Sequence, residues 1–473
     1  MTDERMSKIR EMGWQGDDLL TLHKDTPAYV LEKIAMCEEP LICKHITVHP
    51  NVTDEILIEL SKSKNLANAE CVLRSAKCPV SLLKKFAHHK DYRLRWAVAC
   101  HKNTPPEILS EYARNEKEEI KVRCWALGHP SLPEDVYQEV VAAVMKKQSI
   151  PYETDEEAVE LKQVIAGSPR TPIDVQLQLA ADTKSDSNEG HLIGYRAVLA
   201  GSASDPAVLA ILSDSDEYDI CYHLALNNNV TEQILSKIIE KKDTNLLSKI
   251  ISFNKNLTQV HLRRIYELIG NDSSLAKRED IPTDILREMA KTGSIWVRGG
   301  AAGNPTLPVD LWDTMMTDQS AVVRESLARN EALTAETLKK MSEDEDERVR
   351  RGVADNPNTS EDILFRLASD PSEIVRWGVA NNPKTPLSTI ESMVTDEIYN
   401  IRNRVAIKGK TASVLSSMTK DESEDVLMAL IFNENLRDAE LDDILKTWNT
   451  VKHYGLRGDG CYFEKEKLFP RFV

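Results

Sequence analysis

The chain has 473 residues, 41% of them hydrophobic and 29% charged, with a formal net charge of −16. That balance supplies a sizeable core, excludes a chain too polar to fold, and opposes non-specific attraction to nucleic acid or anionic membranes. No stretch is long and apolar enough for a membrane span, and Met1 to Leu20 is too polar for a signal peptide, so the expected compartment is the cytoplasm.

Taken in order, residues 1–40 are expected to form an N-terminal helical cap, with Trp14, Leu19, Leu20, Val30, Leu31 and Ile34 among its apolar residues. Residues 41–147 read as a first segment of degenerate helical repeats. There His49-Pro50-Asn51-Val52-Thr53 is a turn, and Ile56, Leu57 and Leu60 are the stripe of the helix after it. Leu94-Arg95 through Thr104-Pro105 and Val122-Arg123 through Pro130 are fuller copies. Residues 148–160, with Pro151 and a run of acids, read as an insertion or hinge. A divergent segment, 161–290, holds a polar loop at 182–190 and loses its repeated arginine after Arg196, which leaves the stacking there less constrained.

Residues 291–436 carry the regular signal. Val297-Arg298, Val323-Arg324, Val349-Arg350, Val375-Arg376 and Ile401-Arg402 recur at a spacing of 26 residues, and a fixed period of this length marks a stacked array. The unit reads as two short helices. Val349 and Val353 share one face of the first helix, with Gly352 allowing close approach, and Asn356-Pro357 ends it. Thr359 is expected to cap the second helix, with Asp362 as a capping-box partner, and Ile363, Leu364 and Leu367 form its buried stripe. At Thr104-Pro105 and Thr385-Pro386 the proline is expected at the first helical position. The few large apolar side chains of one unit cannot offset the ordering of its backbone, so each unit needs neighbours.

An aspartate stands six residues before each regular arginine: Asp318/Arg324, Asp344/Arg350, Asp370/Arg376 and Asp396/Arg402. Two readings are open, a structural ladder of ion pairs across the inter-repeat joint, or arginine rows that contact a ligand.

The phrase Val-Arg-x-x-Val-Ala-x-Asn-Pro-x-Thr-Pro, fullest from Val375 to Pro386, resembles the leucine-rich repeat variant family and, more broadly, HEAT-like α-solenoids. The resemblance implies an all-α, right-handed solenoid, here of about fifteen two-helix repeats with terminal caps. It implies no common enzymatic activity.

Within the constant frame one column varies. The equivalents of Arg351 are Trp96, Cys124, Ala197, Gly299, Glu325, Trp377 and Asn403. If Val349 and Val353 point inward, this column is expected to face solvent and adapt to a ligand. Trp96 and Trp377 are then anchor candidates, with Arg351 beside them, unless inter-repeat packing covers them. Residues 437–473 are aromatic-rich. Tyr462 and Phe463 belong either to a C-terminal cap or to a docking tail.

Catalytic signals are absent. The eight cysteines form no CxxC, and neither His88-His89 nor Cys100-His101 has partners at ligand spacing, so no metal or cofactor is expected. There is no phosphate-binding glycine loop and no nucleophile elbow. The chain is therefore expected to be a non-enzymatic scaffold or adaptor that binds a protein partner along its repeat surface. Nucleic-acid binding through arginine rows is the alternative, and it is disfavoured by charge: acidic residues outnumber basic ones between Arg298 and Lys410.

Overall fold

A computed structural model describes residues 26–36, 40–146, 156–182 and 194–437, with a few positions up to 447. Most of the expected N-terminal cap, much of the 148–160 segment, nearly all of the 182–190 loop, and Tyr462 and Phe463 lie outside the described residues. The described residues hold α-helices from Ala28–Ala35 to Glu424–Phe432 and one 3₁₀ turn, Val309–Leu311, and no strand. They divide into two bodies, one up to Asn358 and the other from Thr359 on. Each is a stretch of α-helical solenoid.

In the first body, up to Asn358, the first helices of successive repeats pack one on the next in a continuous row, from Pro40–Val48 to Glu347–Asp355. Second helices form their own row, as where Pro206–Ser213, Glu232–Ile239 and Gln259–Ile269 follow one another. The helical stripes explain the layering. In Ala321–Ala328 the buried apolar residues are Val323, Leu327 and Ala328, and in Ala335–Met341 they are Leu338 and Met341. In the second body Glu373–Asn381 buries Val375, Val379 and Ala380. Close approach in the first-helix row requires small residues: a Cβ on Gly352 would stand 2.9 Å from the Ala328 methyl, and one on Gly300 would stand 2.9 Å from the Ser273 carbonyl.

The arginines and aspartates form a ladder with an offset the sequence reading did not assign. Arg324 grips the carboxylate of Asp344, one repeat later, through Nε (2.8 Å) and Nη2 (3.0 Å). Its Nη1 donates to the backbone carbonyl of Asp318, the aspartate six residues earlier, at 2.8 Å. Arg298–Asp318, Arg376–Asp396 and Arg402–Asp421 repeat the bidentate grip, each with an Nε distance of 2.7 Å. Arg350, Arg376 and Arg402 likewise reach the carbonyls of Asp344, Asp370 and Asp396. Each carboxylate also accepts the N–H two residues on, as Asp344 does from Asp346 and Asp370 from Ser372. The Arg298 guanidinium holds the Asp318 carboxyl below the usual carboxylate range. These guanidinium groups are largely buried and committed to the joint.

A second ladder was not foreseen. At Asn304, Asn330 and Asn356 the asparagine that ends the first helix is buried and donates its amide to the previous repeat. Asn304 reaches the Ala276 and Arg278 carbonyls, both at 2.8 Å. Asn330 reaches those of Ala302 (2.9 Å) and Asn304 (2.8 Å), and Asn356 those of Ala328 (2.8 Å) and Asn330 (3.0 Å). Its carbonyl oxygen closes the turn by accepting the N–H two residues on, as Asn330 does from Ala332 at 2.9 Å. Towards the N-terminus histidine performs the same task. His101 and His129 bond the carbonyls of Ser75 and His101 through Nε2 and accept from Asn103 and Ser131 at Nδ1. In the divergent segment Arg278 takes the place, donating to the carbonyls of Ile251 (2.7 Å) and Asn254 (2.8 Å).

This assignment gives His129 a pH dependence. Its Nδ1 must stay unprotonated to accept the Ser131 N–H, and burial pushes the imidazole below its ordinary value. The unfolded chain, with a value near 6.5, then binds a proton before the folded one does. The stabilising contribution is therefore complete above about pH 6.5 and lost as pH falls towards the lowered folded value. His129→Asn is expected to flatten that part of the stability–pH curve, measured by urea unfolding from pH 7.5 to 5.5. An unchanged slope would refute the assignment.

Two local expectations are corrected. Thr359 is buried and Ser360, not Thr359, stands at the cap position of Glu361–Leu367. Three residues after the spine residue, a threonine faces back to the preceding helix. Thr104, Thr171 and Thr385 donate to the carbonyls of Val98 (2.5 Å), Ile165 (2.5 Å) and Val379 (2.6 Å). Capping falls to a threonine one place further on, as at Thr231 and Thr334. For the same reason Pro105 and Pro386 occupy the cap position, and Pro106 is the first helical residue.

Candidate partner-binding site

The variable column does not face open solvent; it lies in the seam between successive first helices. Ala197, Gly299 and Asn403 are buried, and Cys124 and Glu325 are half-buried. Trp96 is half-buried beneath the Arg74 guanidinium, 4.9 Å from its ring, and its indole nitrogen is buried without a hydrogen bond. Trp377 is half-buried with Arg404 5.6 Å over its ring. Arg351 pairs with Asp355 at 3.3 Å, and the same carboxylate takes Arg329 at 2.9 Å. The cause is the glycine-permitted closeness of the row, which turns the position beside the core face into a joint.

The exposed aromatics stand elsewhere. Trp125 is 51% exposed and Trp296 71% exposed in the first body, and Phe365 is exposed in the second. Trp125 is one residue beyond the variable column, at the position of Gly352. Its signal was legible: a tryptophan where the regular repeats carry Gly300, Ser326, Gly352 and Gly378 does not fit the close joint.

Trp125 borders a cleft of about 520 Å³ whose walls include Cys100, Cys124, Gly128, Pro130 and Val164, with Lys102 at its edge. Gly128 lines the cleft close to Val164, where an added Cβ would stand at ordinary contact distance, 3.4 Å. The thiols offer little chemistry: burial pushes Cys100 up to about 11 and, elsewhere, Cys78 up to about 12. Both remain protonated at neutral pH and are poor nucleophiles or metal ligands. Among the described residues no three His, Cys, Asp or Glu side chains stand together as a metal site. What the cleft can do is bury an apolar side chain against an indole face.

Fold and surface together define a helical-repeat protein of the α-solenoid class. Residues 347–372 match the leucine rich repeat variant family, a HEAT-like repeat, so the chain carries that repeat within its regular array. No curated protein matches the chain. A solved structure described as the crystal structure of an engineered protein is 13% identical, covering 85% of this chain and 100% of that one at a TM-score of 0.16. That likeness is too distant to bear on fold or function. Among the described residues no helix is long and apolar enough to cross a membrane.

Proposed function

We propose that the protein is a non-enzymatic scaffold whose first-helix row binds a segment of a protein partner, with Trp125 as an anchor. The observation that carries this reading is the solvent-exposed Trp125 beside a largely apolar cleft of about 520 Å³, large enough for one or two inserted side chains. Repeat arrays present such surfaces as one continuous face.

The ladder weighs against the nucleic-acid alternative. Arginines needed to grip phosphates are instead held bidentate by Asp318, Asp344, Asp396 and Asp421. On the second-helix row, Arg263, Arg264 and Arg287 pair with Asp284, Glu240 and Asp310.

A photo-crosslinking residue placed at position 102 on the cleft lining, with Trp125 kept, followed by rebinding of the purified captured protein, tests the reading. Trp125→Ala is expected to weaken that rebinding at least about tenfold, with thermal stability unchanged because the indole is half in water. Equal binding by the variant, or capture that disappears with nuclease, would overturn it.

A further inference from the structure

In the second body the helix Tyr399–Lys408 departs from the frame at two positions, both in the same way. The register Gly300, Ser326, Gly352 and Gly378 continues to Arg404, and the spine register Asn304, Asn330, Asn356 and Asn382 continues to Lys408. Lys408 still makes a spine bond, donating from Nζ to the Ala380 carbonyl at 2.9 Å. A neutral asparagine makes that bond in other repeats, so the lysine's charge is surplus to the architecture. Arg404 replaces a small residue and lies over Trp377, 5.6 Å from the ring centre.

Neither cation has a carboxylate partner among the described residues, although both are half-buried. The nearest ladder acids are committed: Asp396 holds Arg376 and Asp421 holds Arg402. Burial pushes Arg404 below its ordinary value, and burial and then the Arg404 charge do the same to Lys408. Two like charges one helical turn apart, partly desolvated and uncompensated, oppose folding unless an anion joins them.

We propose that Arg404 and Lys408 form a carboxylate-binding site for an acidic segment of a partner polypeptide, with the Trp377 indole as the flank for its aliphatic stem. The proposal rests on the protein-scaffold reading above but uses a different body of the chain. A polypeptide carboxylate fits better than a nucleic-acid backbone, because two cations neutralise few phosphates and the net charge of −16 repels a long polyanion.

The test uses the full chain and a fluorescently labelled peptide of alternating glutamate and glycine, beside its glutamine counterpart, at fixed ionic strength. Fluorescence anisotropy is expected to show binding of the glutamate peptide alone. Arg404→Met and Lys408→Asn should each weaken it about tenfold. Lys408→Asn keeps the spine bond, and Arg404→Met keeps an apolar stem over Trp377, so neither should lower the unfolding temperature. Equal binding of the two peptides, equal affinity of wild type and both variants, or binding of inorganic phosphate in place of the peptide would each overturn the proposal. Trp125→Ala separates the two readings: it should leave peptide binding intact, and equal partner binding by wild type and Trp125→Ala would sink only the scaffold anchor.

Discussion

Replacing Asn330 with alanine is expected to cost about 3 kcal/mol, and to do so locally. The side chain donates to two backbone carbonyls, of Ala302 and Asn304, and accepts the Ala332 N–H. Asn330 is itself buried, so water cannot replace these bonds without entering the joint. A buried polar group left unsatisfied costs about 1–3 kcal/mol, and here three are disturbed: the Ala302 carbonyl, the Ala332 N–H, and the Asn304 carbonyl, which also accepts from the Leu307 N–H. Because each repeat touches only its neighbours, the loss should appear in the joints on either side of Asn330. Hydrogen exchange should quicken on the order of a hundredfold for amides of Ala321–Ala328 and Ile295–Ala302 whose protection depends on local opening. Asn330→His is the informative companion, since His101 and His129 at the same position bond one carbonyl of the previous repeat and accept the turn N–H. It should recover part of the loss at pH 8 and less at pH 5.5. If alanine and histidine variants both exchange like wild type, the spine is ornamental.

Removing Asp344 alone should be the more damaging change. Asp344→Ala leaves the Arg324 guanidinium, with 11% of its side chain exposed, without its carboxylate, and leaves the Asp346 N–H without its acceptor. Stranding one member of a buried pair costs about 3–5 kcal/mol, whereas replacing both members by apolar groups is often close to neutral. Arg324→Met/Asp344→Leu is therefore expected to be more stable than Asp344→Ala despite carrying two substitutions. Urea midpoints of the two variants and the wild type decide it. A double variant no better than the single one would mean that the ladder supports stability directly and does more than fix register.

Much of the fold was legible because its causes are local. The 3.6-residue stripes, the Asn-Pro stops and the 26-residue spacing act within one unit, and the helices Ala321–Ala328, Ala335–Met341 and Glu373–Asn381 follow them. The candidate site was less legible. Helical phase says that Trp96 and Trp377 lie off the core face, but how near the next helix comes depends on Gly300, Gly352 and their neighbours across the joint. That distance put Trp96 and Trp377 in the seam and left Trp125 outside it. The spine was written in plain sight as Asn304, Asn330, Asn356 and Asn382, yet at Asn304, Asn356 and Asn382 the following proline offers a sufficient local explanation as a helix stop.

The sequence by itself determined the repeat: its length, its two helices, its all-α class and the columns of residues that must lie near one another. Tertiary structure decided which members of those columns meet. An aspartate six residues before its own arginine is also twenty residues after the arginine of the previous repeat, because the two offsets add up to the period. Periodicity alone cannot separate the two pairings. Only the stacking distance does, and it gives the carboxylate of Asp344 to Arg324 and leaves Arg350 the Asp344 carbonyl.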